Sequence, residues 1–134
     1  MGAVAEHVEE YVRVARFRAA LRSFLRRSER VARSSGLTPQ RYLLLLMVKG
    51  APDGSERATV TDLAQRLQLA QSTVTELVGR AVEAGLVERA PSDDDGRVAH
   101  VRLTSEGERR LSAAFTGLES ERRQLREALL QLEP

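Results

Sequence analysis

Residues 61–107 read TDLAQRLQLAQSTVTELVGRAVEAGLVERAPSDDDGRVAHVRLTSEG, and this stretch decides the fold. Its apolar residues, turn residues and hydroxyl side chains predict helix, turn, helix, hairpin and helix without interruption. Elements in this order form a winged helix-turn-helix. The sequence therefore predicts a mainly α-helical fold with a small β-hairpin wing, and double-stranded DNA as its partner.

The two helices of this unit are predicted over 61–67 and 71–84, separated by the turn 68–70. Thr61 is expected to cap the first helix, and Gly85 to end the second in a left-handed conformation. The buried face of the second helix repeats at i, i+3, i+4, i+7 and i+8 from Val74. Small hydroxyls and an amide on its other face suit a DNA major groove, although they also cap and solvate ordinary helices. The outward residues are Gln71, Ser72, Thr73, Thr75, Glu76, Arg80 and Glu83.

The wing is predicted from two short alternating runs, 86–89 and 97–103, joined by a tip rich in Pro, Asp and Gly. Arg97 stands on the return side of this tip, where a guanidinium can enter an adjacent minor groove. Asp95, two residues earlier, can hold that guanidinium by a bidentate contact. A short strand at 58–60 is expected to join the same sheet.

Six short motifs occur in a set order: LTPQ (37–40), LA (63–64), STVT (72–75), GLVER (85–89), Asp95 with Arg97, and LTSEG (103–107). In this order they resemble the MarR (multiple antibiotic resistance regulator) family of bacterial transcription factors. The resemblance implies a homodimer in which the terminal helices of two subunits interlock and two winged units bind successive major grooves. It also implies a site for a small effector, often an aromatic or phenolic anion, and the leading hypothesis is a ligand-responsive repressor of a pseudo-palindromic operator.

The resemblance assigns roles to segments of a single domain, 1–134. A helical dimerisation lobe is expected at 3–34 and 105–132, a connecting helix at 38–49, and the DNA-binding winged unit at 58–104. The base-reading role carries over to Gln71, Ser72, Thr73 and Thr75, and the minor-groove role to Arg97. The whole set expected to bind DNA is Gln71, Ser72, Thr73, Thr75, Arg80, Asp95 and Arg97. The set expected to line an effector cleft is Arg16, Phe17, Leu21, Tyr42 and Leu46, for which core and dimer packing is the alternative.

Three positions depart from the family pattern: Ala70 where a capping side chain is usual, Glu76 where a basic residue is common, and Gly96 where a wing base is expected. Residues 61–107 also hold five basic and eight acidic residues. Glu76, the missing wing base and this acidic balance support an alternative function, a protein-interaction module with weak or lost DNA binding that docks a partner through its acidic winged unit. Salt dependence separates the two, because a dimer that contacts phosphates loses affinity steeply as salt rises.

Both faces of the predicted N-terminal helix are informative. Arg18, Arg22, Arg26, Arg30 and Arg33 form a basic stripe, which can lie over flanking phosphates, pair with acidic residues of a partner subunit, or stay in water. The apolar side, which begins with Val8, Tyr11 and Val12, is long enough to need a partner helix. The helix at 38–49 starts with Thr38-Pro39 and is apolar on nearly every side, which predicts burial.

Composition excludes several classes of function. The chain has no Cys, so disulfides and thiol sensing are excluded. Its two His lie in unrelated elements, and no metal site is expected. No nucleophile-base-acid set or glycine-rich phosphate loop occurs, so neither a catalytic residue, a cofactor nor an enzyme activity is predicted. No apolar run nears the ~20 residues of a membrane span, and no signal peptide pattern opens the chain, so a cytoplasmic protein without membrane contact is expected.

Overall fold

A computed structural model describes residues 2–91 and 99–132 of this chain, with side chains for 7–90 and 99–132. The described helices are α1 (Gly2–Ser34), α2 (Pro39–Lys49), α3 (Val60–Leu67), α4 (Gln71–Glu83), α5 (Ser105–Thr116) and α6 (Glu119–Leu130). The described strands are β1 (Arg57–Ala58), β2 (Val87–Pro91) and β3 (Ala99–Leu103). The predicted fold class, mainly helical with a small β-hairpin wing, is confirmed.

The three strands form one antiparallel sheet in the order β1-β3-β2. Val87 pairs with Leu103 and Arg89 with Val101, and the side chains of Val87 and Val101 are buried. Because side chains alternate along a strand, Arg89 leaves the sheet on the same side as these two valines. The sheet therefore packs one face against the helices and exposes the other.

Helix α2 is the centre of the core. Thr38 caps it by accepting a hydrogen bond from the backbone amide of Arg41, and Pro39 is its first residue. Leu44 and Leu45 are completely buried and pack with the buried residues of α3 and α4. Leu43, in contrast, is 41% exposed. The prediction of burial on nearly every side therefore holds for only part of the helix.

The start of α3 differs from the sequence prediction. Thr59 is the N-cap and forms a capping box with Asp62, so the helix begins at Val60 and the expected cap at Thr61 is wrong. The side-chain hydroxyl of Thr61 instead accepts a hydrogen bond from Nε2 of Gln71, at 2.6 Å. The strand expected at 58–60 is also shifted. Because Thr59 and Val60 belong to the start of α3, β1 covers only Arg57–Ala58.

A compact junction connects α4, the sheet and α5. Oγ1 of Thr104 donates a hydrogen bond to the carbonyl of Gly85 at 2.6 Å and accepts one from the amide of Gly107 at 3.1 Å. Gly85 has a φ of 74°, the left-handed conformation that the sequence predicts for it. Gly107 is buried against the backbone of Leu86. These contacts fix how the wing leaves the end of α4.

Helix α1 packs along α6. Arg27 pairs with Glu121 at 3.4 Å, and Nη1 of Arg16 donates to Oε1 of Gln131 at 3.1 Å. Helix α1 also carries large apolar side chains that nothing in the described part of the chain covers; Tyr11, for example, is 75% exposed. Further large apolar side chains exposed on α1 and α6 are Val8, Val12, Val14, Leu25, Leu129 and Leu130. No described helix combines the length and the apolar character of a membrane span.

Candidate nucleic-acid interface

Helix α4 divides into a buried and an exposed face as the sequence predicts. Val74, Leu77, Val78 and Ala81 are buried in the core. All of the α4 residues expected to contact DNA lie on the exposed face: Gln71, Ser72, Thr73, Thr75 and Arg80. Ala70 is the N-cap and provides no side-chain hydrogen bond, so the first amides of α4 receive no capping oxygen from it.

The hydroxyls at the start of α4 differ in their partners. Oγ1 of Thr75 donates to the carbonyl of Gln71 at 3.0 Å, which leaves its lone pairs able to accept a hydrogen bond. Gln71 donates its own side-chain amide to Thr61, which positions it against α3. Ser72 makes no side-chain hydrogen bond to another described residue. The start of α4 therefore offers a small donor, a small acceptor and an amide already held in place.

Arg80 is less available to contact DNA than the sequence suggests. Its Nη2 lies 2.7 Å from Oε1 of Glu76, one helical turn earlier, and both side chains are 63% exposed. An exposed pair of this kind contributes only ~0.3–0.5 kcal/mol. Phosphate can therefore replace Glu76 as the partner of Arg80, but in the isolated chain the two charges neutralise each other.

Asp95 and Arg97, the two wing residues expected to contact DNA, lie outside the described residues, so their roles stay predictions. Of the described wing residues, Arg102 lies on the outer face of the sheet and pairs with Glu88 at 2.8 Å. That pair crosses from β3 to β2 at directly opposed positions. The ion pair joins the two strands of the hairpin, and both of its side chains are more than half exposed.

The position of Arg89 beside α4 was not among the sequence-based expectations. Its guanidinium extends from the sheet over Gly79 of α4, with Nη2 4.0 Å from the position that a Cβ on Gly79 would occupy. Strand alternation from Val87 was the signal that could have found it, because alternation directs Arg89 towards α4. The apolar pattern could not point to Gly79, because glycine has no side chain that would assign it to either face of α4.

The five residues expected to line an effector cleft lie in different surroundings within the described part of the chain. Tyr42 is 5% exposed and belongs to the core, where burial raises the pKa of its hydroxyl against the opposing effect of Arg122. Leu21 lines a shallow depression on α1, Arg16 bonds to Gln131, and Phe17 is half-buried on α1. Leu46 alone lines a cavity between α2 and α5, of about 380 Å³, with Lys49, Gly50, Glu108, Leu111, Ser112 and Phe115.

Lys49 is the basic group of that cavity, and Glu108 is its acidic group. Its ammonium pairs with Glu56, in the loop before β1, and with Glu108 of α5 at 2.9 Å. Hydrogen bonds from Lys49 to Glu56 and then to Glu108 raise its pKa. Lys49 therefore stays protonated and joins α2, the loop and α5. Among the described residues, no group of three or more His, Asp or Glu side chains is placed to hold a metal ion.

Comparison with known proteins gives a consistent result. The family model described as MarR family matches residues 35–98. The chain is 35% identical over 79 residues to the HTH-type transcriptional repressor IacR of Pseudomonas putida, a match that covers 59% of this chain and 45% of that repressor. The chain thus spans about half the length of this curated relative. The relatives matched are transcription regulators and not enzymes.

Solved structures share the fold. A MarR family transcription regulator superposes with a TM-score of 0.76 at 23% identity, over 95% of this chain and 82% of that one. A mutant MarR from E. coli complexed with operator DNA gives a TM-score of 0.65 at 20% identity, over 81% of this chain and 75% of that one. At these identities the likeness establishes the fold alone.

Proposed function

Because this chain belongs to the MarR family, we propose that it is a homodimeric, DNA-binding transcriptional regulator that represses from a pseudo-palindromic operator. The observation that carries the proposal is the exposed polar face of α4, which begins with Gln71, Ser72 and Thr73 beside a hairpin wing. The E. coli MarR complexed with operator DNA supports it, because that protein shares this fold. The match to the repressor IacR supports repression rather than activation.

Helix α4 is proposed to enter the major groove with its N-terminal half. Small side chains there allow the backbone to approach, and the hydroxyls of Ser72 and Thr75 then reach base edges or phosphates. Arg97 is proposed to enter the adjacent minor groove. In a dimer the two α4 helices read half-sites about one helical turn apart, roughly 34–36 Å.

Exposed apolar surface supports the homodimer. Tyr11 and Val12 of α1 are exposed, and so are Leu129 and Leu130 of α6. The hydrogen bond between Arg16 and Gln131 brings these two groups to the same end of the lobe. Large apolar side chains exposed together on one lobe mark an interaction site, and a two-fold axis lets each copy cover the other.

The proposal is tested by fluorescence anisotropy of the purified chain with its own upstream intergenic DNA, at several salt concentrations and with unrelated competitor DNA. Saturable, competitor-resistant binding that weakens steeply with salt supports a phosphate-contacting dimer. Absence of binding at low salt to this and to other promoter fragments would instead favour the protein-interaction module, whose support is the acidic balance of residues 61–107.

Replacing Ser72 or Thr75 by alanine is expected to weaken operator binding by about 1–3 kcal/mol for each lost base contact. Both side chains are exposed, so the melting temperature should change little. Ser120→Ala on exposed α6 is the matched control and should leave the DNA affinity unaltered. If the Ser72 and Thr75 variants bind the operator as tightly as the Ser120→Ala control, the start of α4 does not read bases.

A small aromatic anion is proposed as the effector, in the cavity between α2 and α5. Leu46, Leu111 and Phe115 provide its apolar lining, and Lys49 provides the positive charge. A carboxylate that takes the place of Glu108 at Lys49 would loosen α5 from α2. Such a ligand alters DNA affinity only if it prefers one spacing of the two winged units.

Benzoate is expected to weaken DNA binding by the wild-type chain, and Lys49→Gln is expected to abolish this response. The physical reason is the loss of the cavity's only lysine ammonium, the group that a carboxylate would pair with. Arg109→Gln is the control, because Arg109 is exposed on α5 and pairs with Glu106 outside the cavity. A benzoate response in Lys49→Gln equal to that of the wild type would refute this site.

A further inference from the structure

Gly79 lies in the middle of α4 without a packing reason to be glycine. A Cβ at this position would meet only Nη2 of Arg89, at 4.0 Å, which is ordinary van der Waals contact. Its φ is not in the left-handed region, since the described glycines with positive φ are Gly36, Gly54 and Gly85. Glycine destabilises a helix interior relative to alanine, so neither packing nor backbone conformation accounts for it.

Arg89 differs from the arginines around it in having no partner among the described residues. Arg80 pairs with Glu76 and Arg102 pairs with Glu88. Arg66 donates to the carbonyls of Met47 and Gly50, so its guanidinium is committed to the backbone. Arg89 is exposed and makes no ion pair or side-chain hydrogen bond with another described residue. It is therefore the uncommitted cation of the described winged unit.

We propose that Arg89, lying in the space that Gly79 leaves open, binds a DNA backbone phosphate between the recognition helix α4 and the wing. A guanidinium presents planar donors that match a phosphate in two parallel hydrogen bonds. Gly79 follows Thr75 by one helical turn, so the phosphate would lie on the same face of α4 as the base-reading hydroxyls. The inference rests on the proposed DNA binding and adds a contact to it.

Charge balance makes this contact important. Residues 61–107 hold five arginines against eight acidic residues, so the winged unit has few cations to hold the DNA backbone. Three of these five arginines are engaged within the chain, as described above, and Arg97 lies outside the described residues. Arg89 is thus expected to carry a large share of the salt-dependent affinity of each subunit.

The decisive experiment uses Gly79 as well as Arg89. Gly79→Asp places a carboxylate beside the guanidinium and should weaken operator binding about tenfold, whereas Gly79→Asn, which matches it in size without charge, should stay within about twofold of the wild type. Arg89→Gln should also weaken binding about tenfold and reduce the slope of log affinity against log salt by about 0.9 per subunit. Arg89→Lys should keep most of that slope.

Thermal melting of each variant shows whether the fold is retained, and the salt slope separates a phosphate contact from a structural role of Arg89. If the wild type binds its operator and Arg89→Gln keeps the wild-type slope, the phosphate contact is refuted while the proposed function stands. If Gly79→Asn weakens binding as much as Gly79→Asp, shape rather than charge matters at this position, and the proposal fails. If the wild type binds no DNA, both proposals fail.

Discussion

Gly107→Ala is expected to destabilise the folded chain by about 3 kcal/mol, at the upper end of the usual range for overpacking. The added Cβ would lie 2.1 Å from the backbone oxygen of Leu86 and 3.1 Å from its carbonyl carbon. Backbone atoms cannot turn aside as a flexible side chain can. Relief of the clash therefore requires α5 to move away from the strand start, which breaks the hydrogen bond from the amide of Gly107 to Thr104.

The matched control is the same substitution in α4. Gly79→Ala adds a methyl group with only an ordinary contact to Arg89, so it should stabilise the chain by about 0.5–1 kcal/mol. Urea unfolding followed by circular dichroism gives both free energies, with equal m-values as the check on two-state behaviour. Equal midpoints for the two variants would mean that the close approach of α5 to Leu86 is not present in solution.

Tyr11→Glu is expected to convert the dimer to a monomer. Tyr11 is 75% exposed in one chain and lies in the apolar patch proposed to be covered by the second copy. A carboxylate buried there without a partner should cost about 3 kcal/mol in each of the two subunits, which raises the dimer dissociation constant roughly 10⁴-fold. Operator affinity should fall in parallel, because a monomer reads a single half-site.

Sedimentation equilibrium measures the dissociation constant, and anisotropy measures the affinity for a full operator and for a half-site. Tyr11→Phe keeps the apolar ring and serves as the control, with both constants near those of the wild type. A Tyr11→Glu variant that remains a dimer at micromolar concentration would show that this end of α1 is not in the interface. The effect on half-site binding should be small in either variant.

The local pattern of the chain was sufficient to predict its helices and its hairpin. Apolar spacing in α4 identified Val74, Leu77, Val78, Ala81 and Val82 as the buried face; the first four are buried, and Val82 is partly buried against the same core. Gly85 was identified as the helix end, and its positive φ agrees. These features were predictable because helix periodicity and the conformational freedom of glycine depend on residues a few positions apart.

The helix cap shows where local pattern fails. Thr59 and Thr61 are both able to cap α3, and the sequence prediction chose the wrong one. Thr59 caps because its box partner Asp62 is three residues later and β1 ends at Ala58, one residue before it. The pairing of β1 with β3 fixes that strand end, and it joins residues more than forty positions apart.

The sequence by itself thus determined the order of the elements, the buried stripes and the polar face of α4. Only the tertiary structure decided which charges are engaged. It paired Arg102 with Glu88, joined Lys49 to Glu56 and Glu108, and left Arg89 over Gly79 without a partner among the described residues. The physical reason is that an ion pair depends on a distance of a few ångströms between side chains. Residues from separate elements acquire such distances only when the chain folds.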